Sequence, residues 1–496
     1  MAELPPDCLT QIFLNLNFLE RVRLETVCQL WHYVLQGRSC FSDMRKLNIA
    51  DFLMNTTTDY YQQESISLAP TVLGVVERCG AHVHSLSFGN RWLKVSQHII
   101  DCITKNCDQV REIDLGAVIL NADIHALLAN SADRLEHLSL EETSWVCSQH
   151  AEKVASTFSA MKQLKSLNLR AALFNIENIV HLPDTLREIN ISGARQFSND
   201  AMVSFLLEHP KLRCLRASPC PSLVKVIIDA LAGMCRLESL ELGFIDQREL
   251  SMLPLAALTQ LRVLELRNVQ CLNENSLSML LSSMTQLQEL SIRRCDRVRD
   301  YSSLAFCERL TSLTITDTMQ LCDDDLLLVT ARCALKLIHF ANCINVTSDG
   351  ISHALSHCQL RELILINCTS ITDEAMLMLA HTQNEISRIS IQGCTGITSK
   401  GVATIGFLRN LRKLRFLDVS RNRAVDNFSV QSLYTALQIA WSPSPWLSSS
   451  DTQCHQRTKE RCEQPPQPQQ SLTLAVSQTS IGDVEKKVAD LIQLAY

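Results

Sequence analysis

The stretch LRELILINCTSITDEAM, residues 360–376, holds two different periods. Leu363 and Leu365 alternate as on a strand that buries one face, with Leu360 leading in, while Ile364 and Ile366 fall between them on the opposite face. Ile371, Ala375 and Leu379 then recur at helical spacing. Cys368 stands between the two patterns, where a turn residue would ordinarily be polar. The unit therefore reads as strand, turn, helix.

The frame L-x-x-L-x-L-x-x-C returns along the chain. LQELSIRRC (287–295), LKLIHFANC (335–343) and ISRISIQGC (386–394) repeat it, and LRCLRASPC (212–220) does so with Ala217 in the third apolar slot. Looser copies start at Val83, Val110, Leu135, Leu164, Leu186, Leu237, Leu261 and Leu310, and LRFLDVSRN (414–422) ends in Asn instead of Cys. Successive starts lie 22 to 29 residues apart. A repeat of that length is one supersecondary unit that buries its apolar face only by stacking on its neighbours. Thr347/Ser348, Thr372/Asp373, Thr398/Ser399 and Ser198/Asn199 precede the helical patterns, where short oxygens can accept from first-turn N–H groups. One strand and one helix per repeat predict an α/β solenoid, a horseshoe with a parallel inner sheet and outer helices.

Composition agrees with that architecture and excludes others. The 496 residues are 46% hydrophobic but only 5% aromatic, so the core is built of many small leucine units. A net charge of −6 offers no broad basic field for nucleic acid or an anionic membrane. No apolar run approaches the ~18 residues of a membrane span. MAELPPD has neither a basic n-region nor an apolar h-region, so it does not read as a secretory signal. The 21 cysteines are then expected as thiols in the cytoplasm and/or nucleus. They form no C-x-x-C pair, which removes the usual zinc spacing. Cys147/His150 and Cys454/His455/Cys462 lack a second ligand pair. No metal and no cofactor is expected.

The repeat resembles the leucine-rich-repeat family in its cysteine-containing type, over roughly residues 80–440. The resemblance implies that the cysteine after each strand turns into the core and donates to neighbouring carbonyls, as Asn does in other repeats. Cys235, Cys333 and Cys358 would close helices. A small buried thiol with a weak donor suits both tasks.

The first forty residues do not fit the repeat. ELPPDCLTQIFLNLNFLERVRLETVCQLWHYV (3–34) reads as a helix carrying Leu9, Ile12, Phe13 and Leu16, then a second carrying Val22, Leu24, Val27 and Trp31. By pattern alone it is a helical cap for the solenoid. Its residue order, however, resembles the F-box: Leu4-Pro5-Pro6-Asp7-Cys8-Leu9, then Ile12-Phe13 and Leu16, then Val27-Cys28 and Trp31, with Glu20-Arg21 where the family often has Asp-Leu. This resemblance implies docking on a Skp-type adaptor, and through it on a cullin scaffold, by Leu4, Pro5, Leu9, Ile12, Phe13, Leu16, Val27, Cys28 and Trp31.

The expected domains are an all-α F-box at 1–40, a linker and capping repeat at 41–80, leucine-rich repeats at 81–440, a disordered Pro/Ser/Gln-rich tail at 441–480, and a possible amphipathic helix at 481–496. That last segment is either a tail with no fixed home or a partner-docking helix. Within the capping repeat, MRKLNIADF (44–52) is a degenerate strand frame, and an apolar helix is expected around Leu68–Val76.

The implied role is the substrate-recognition subunit of a Skp–cullin–F-box ubiquitin ligase, with a protein substrate on the concave face. The alternative is a non-degradative scaffold that uses the F-box only to bind the adaptor. An enzyme is not expected: there is no P-loop, H-E-x-x-H or G-x-S-x-G, and Asp323-Asp324-Asp325 sit at a helix start where the dipole accounts for them. Most residues between the inward leucines are polar, but Leu337, Ile364, Ile366 and Phe416 form an apolar group beside His339, Glu362 and Arg388. These seven are the expected substrate site. The other readings of the patch are a tail folded over it and simple tolerance of exposed hydrophobes.

Overall fold

The computed structural model describes residues 4–52, 69–89, 93–171, 182–193, 198–218, 225–441, 472–475 and 492–495. The chain divides into two compact units, Met1–Leu242 and Gly243–Tyr496.

The first unit opens with three helices, α1 (Pro6–Phe13), α2 (Phe18–Leu24) and α3 (Gln29–Gln36), where the sequence pattern predicts two. Pro6 starts α1 at a position where a missing N–H costs nothing. Asn17 and Glu20 form a reciprocal capping box that starts α2. The chain breaks after Leu24, and the Cys28 sulfur accepts the Trp31 N–H at 3.5 Å to start α3. Val27 and Trp31 therefore do not share a helix.

Leu9, Phe13, Val34, Leu35 and Phe41 fill the core of this helical unit. Arg21 is also buried, and all five of its N–H groups are used. Nε donates to Leu16 O at 2.8 Å; Nη1 donates to Cys40 O at 2.8 Å and Asp43 Oδ1 at 2.6 Å; Nη2 donates to Leu14 O at 3.0 Å and Asp43 Oδ2 at 2.6 Å. The arginine thus satisfies the carbonyls left open at the end of α1 and after it. Its hydrogen bonds hold the Asp43 carboxyl below its ordinary range.

The degenerate frame at 44–52 forms β1 (Lys46–Asn48), and α4 (Ala69–Cys79) follows where an apolar helix is predicted. The polar insert at 55–65 lies outside the described residues. β1 starts a parallel sheet that runs through β2 (Ser85–Ser87), β4 (Glu112–Asp114), β6 (His137–Ser139), β8 (Ser166–Asn168), β9 (Glu188–Asn190), β10 (Cys214–Ala217) and the start of β11 (Ser239–Ile245). Leu47, Leu86, Ile113, Leu138, Leu167, Ile189, Leu215 and Leu240 stand in register as one buried row. Each such side chain is worth about 1.5–3 kcal/mol relative to exposure. A second, three-stranded sheet of β3 (Leu93–Ser96), β5 (Val118–Asn121) and β7 (Ser144–Trp145) was not legible in the repeat frame.

The second unit continues the same arrangement. Its strands are β12 (Val263–Val269), β13 (Glu289–Arg293), β14 (Ser312–Thr316), β15 (Leu337–Ala341), β16 (Glu362–Ile366), β17 (Arg388–Ser390) and β18 (Phe416–Asp418). Two interactions lock the repeats at either end of the strands. After each strand, a residue at positive φ (Asp317, Asn342, Asn367, Gly393) turns the chain, and the next side chain points inward. Cys343 Sγ donates to Ile315 O at 3.4 Å, Cys368 to Phe340 O at 3.7 Å and Cys394 to Leu365 O at 3.4 Å. Asn422 Nδ2 takes the same place in the last repeat, at 2.6 Å from Ile391 O. Burial pushes the Cys343 and Cys394 thiols up to about 12.

The helix starts carry the second lock. Asp323 accepts the Thr347 N–H at 2.9 Å and its hydroxyl at 2.6 Å, and Asp373 does the same for Thr398 at 2.7 and 2.6 Å. Asp323 therefore stitches one repeat to the next, besides sitting at a helix N-terminus. Gly350 and Gly401 make room for these carboxylates, since an added Cβ would lie 2.2 Å from Asp323 Oδ1 and 2.1 Å from Asp373 Oδ1.

The tail departs from expectation. Within 441–480, where disorder is predicted, β19 (Leu472–Ala475) pairs parallel with β18. Within 481–496, read as a tail with no fixed home or a possible amphipathic helix, β20 (Ile492–Ala495) pairs parallel with β19. An open sheet edge at β18 outweighs weak local preference. The other tail residues lie outside the described residues.

Candidate functional site

Two apolar surfaces follow from this fold, one in each unit. On the N-terminal helices, Leu4, Pro5, Ile12, Val27 and Cys28 are exposed, with Ile12 at 48% and Val27 at 58%. Leu16 and Trp31 are half-buried. Leu9 and Phe13, also among the expected contact residues, are buried. Helical periodicity marks one apolar face, but the inner half of that face is consumed by the unit's own core. Phe13 instead supports Trp31, whose ring meets it edge-on at 5.3 Å. Sequence reading missed Arg21, which holds α1, the turn after it and Asp43 in place beneath this surface. Its position in an Asn-x-x-Glu-Arg run was readable only as an exposed helix charge.

The second surface lies on the sheet of the second unit, on the face away from the buried leucines. Register aligns Leu337, Glu362, Arg388 and Phe416 in one column, and Thr314, His339, Ile364 and Ser390 in the next. Ala341 and Ile366 stand beside them in a third. Leu337, His339, Glu362, Ile364, Ile366 and Phe416 are all half-buried, and Arg388 is exposed. The seven expected residues thus form one contiguous patch. Strand β19 extends the sheet beside Phe416, with Thr473 as its register partner, and so those residues prolong the face at its edge.

The charges at the patch are uneven. The Arg388 guanidinium lies over the Phe416 ring, its central carbon 4.3 Å from the ring centre. Arg293, two strands away from His339, is paired with Glu265 at 3.5 Å and held by Ser291 at 3.0 Å. Burial, reinforced by Arg293 and Arg388, pushes the His339 imidazole below its ordinary range, so that it is uncharged at neutral pH.

The sheet face of the first unit differs. A groove of about 710 Å³ is lined there by Ser85, Glu112, Asp114, His137, Glu141 and Asn168, among others. Arg170 neutralises part of it by pairing with Glu141 at 2.6 Å and Glu142 at 3.7 Å. Among the described residues, no group of three or more His, Cys, Asp or Glu side chains is placed to hold a metal ion. No described helix is long and apolar enough to cross a membrane.

Comparison with known proteins matches residues 1–42 to the F-box domain. No curated protein sequence matches the chain significantly. Among solved structures, the yeast Rad7–Elc1 complex is similar at 18% identity and a TM-score of 0.40, over 59% of this chain and 81% of that one. The Arabidopsis receptor kinase HAESA, in complex with the peptide hormone IDA and the co-receptor SERK1, is similar at 16% identity and a TM-score of 0.35, over 70% and 71% of the two chains. Internalin InlF of Listeria monocytogenes gives 13% identity and a TM-score of 0.27, over 90% and 94%.

Proposed function

From an F-box domain joined to a leucine-rich-repeat solenoid, we propose that this chain is the substrate-recognition subunit of a Skp–cullin–F-box ubiquitin ligase. The F-box is an adaptor-binding module, and Leu4, Pro5, Ile12, Val27 and Cys28, flanked by Leu16 and Trp31, are its contact surface. A few apolar anchors of this kind carry most of the affinity of such interfaces. The patch of Leu337, His339, Glu362, Ile364, Ile366, Arg388 and Phe416 receives the protein substrate. The subunit makes and breaks no bond. It raises the effective concentration of a substrate lysine near a ubiquitin-loaded enzyme brought by the cullin.

The observation that carries this reading is a contiguous apolar patch in the second unit, on a sheet face otherwise lined mostly by polar side chains. The test is purification of the full chain from cells, as wild type, as Leu4→Ala/Ile12→Ala and as Ile364→Asp/Ile366→Asp. The wild type should bring adaptor, cullin and a partner that is ubiquitylated in the reconstituted assembly. The first variant should lose adaptor and cullin only, and the second the partner only. A wild type that holds the adaptor and a partner but never transfers ubiquitin to it is a scaffold instead.

A further inference from the structure

The guanidinium of Arg388 has a single partner among the described residues, the Phe416 ring beneath it. No ion pair or hydrogen bond among those residues engages its N–H groups. The ring offers no acceptor for these N–H donors, whose fork geometry matches a carboxylate. The ring also removes much of the side chain's freedom, so less entropy is lost when a ligand binds. Around it, Leu337, Ile364 and Ile366 supply an apolar floor, and His339 stands in the adjacent column.

We propose that the substrate segment taken by this patch is apolar and carries one carboxylate, bound by the edge of Arg388 while its hydrophobic side chains lie on Ile364 and Ile366. This inference rests on the patch being the substrate site. The carboxylate is either an Asp or Glu side chain or the end of a chain. A monoanion fits better than a phosphate dianion. Glu362 is Arg388's register neighbour on one side. A second negative charge would meet repulsion from the Glu362 carboxylate.

The experiment is selection of the full chain against two random ten-residue peptide libraries, one ending in a free carboxylate and one embedded between flanking domains. Wild type, Arg388→Gln, Arg388→Lys and Ile364→Asp/Ile366→Asp are compared, each first matched to wild type in thermal midpoint. Wild type should enrich apolar runs holding one acid at least tenfold over their amide counterparts. Arg388→Gln should keep the apolar enrichment and lose the acid, Arg388→Lys should keep part of the acid preference, and the double aspartate should lose both. Enrichment in the free-ended library alone assigns the carboxylate to a chain end; enrichment in both assigns it to a side chain. Apolar enrichment without an acid, or an acid preference unchanged in Arg388→Gln, overturns this inference and leaves the patch as the site. Enrichment indifferent to the double aspartate, or none in any library, overturns both.

Discussion

Arg78 closes on Glu25 through two parallel bonds, Nε to Oε1 at 2.7 Å and Nη2 to Oε2 at 2.9 Å. The pair joins α4 of the capping repeat to the chain just after α2, and Arg78 also donates to Gly74 O at 2.7 Å. Glu25 is buried and Arg78 partly so. Removing the arginine strands a buried carboxylate. Arg78→Ala should cost about 2–3 kcal/mol, the lower end for a buried pair because one partner reaches solvent. In a double-mutant cycle by urea unfolding, Glu25→Gln with Arg78→Ala should recover part of that loss. Strict additivity would mean the pair is not coupled.

The adaptor surface separates contact from support. Leu4→Ala/Ile12→Ala should abolish adaptor capture and leave the thermal midpoint within a degree or two, because both side chains are exposed. Phe13→Ala removes a buried ring and should destabilise the helical unit by about 3–5 kcal/mol. Its loss of adaptor binding should then follow unfolding, read by circular dichroism on the same sample. A folded Phe13→Ala chain that fails to bind would restore Phe13 as a direct contact.

The cysteine ladder predicts a graded response. Cys368→Ser keeps a donor and should cost about 1 kcal/mol. Cys368→Asp buries a charge with no partner and should cost more than about 3 kcal/mol. Equal losses would count against the ladder.

Alkaline pH tests the same thiols together. Free thiols in the unfolded chain titrate near ~8.5, while burial holds Cys295 and Cys333 up to about 11 and Cys307, Cys343 and Cys394 up to about 12. Above pH ~8.5 the unfolded chain therefore binds fewer protons than the native one, and stability falls as pH rises through this window. Urea midpoints should decline steadily from pH 8.5 to 10.5, less so in a Cys343→Ala variant. A flat profile would contradict the burial.

His339 carries the opposite sign. Its imidazole is pushed down in the folded chain, so below pH ~6.5 the unfolded state takes up the proton first and stability falls on acidification. His339→Gln should flatten part of the decline between pH 6.5 and 5. An identical decline in both proteins would show that neither burial nor the two arginines shifts His339.

The stitch at the helix starts can be tested by crowding it. Gly350→Ala places a methyl where the Asp323 carboxylate sits and should cost about 1–3 kcal/mol. Asp323→Ala/Gly350→Ala should cost less than the sum of its parts, since removing the carboxylate removes the clash. A fully additive pair in urea unfolding would mean the backbone moves aside instead.

Much of the fold is legible because it is periodic. Each L-x-x-L-x-L-x-x-C frame states its own strand, and the stacking of neighbours follows from the apolar face that one repeat cannot bury alone. The ladder of Cys343, Cys368 and Cys394 was readable for the same reason, since one small donor recurs at one position. Ile364 and Ile366 were readable as outward residues from alternation alone.

Other features depend on groups far apart in sequence. The break at Glu25–Cys28 needs a sulfur cap and an arginine bound to Asp43, and no local period signals either. Leu9 and Ile12 look alike as apolar positions on α1. Only the packing of α1 against α3 and the turn at Arg38–Phe41 decides that Leu9 is core and Ile12 surface. The tail strands at 472–475 and 492–495 form because β18 leaves backbone groups unpaired, which a reading of the tail itself does not contain. Sequence by itself determined the repeat, its inward leucines, its cysteine donors and the F-box residue order, because those are local patterns. Tertiary structure alone decided the placement of Arg388 over Phe416 and the burial of Phe13, because both are set by which neighbours the fold brings near.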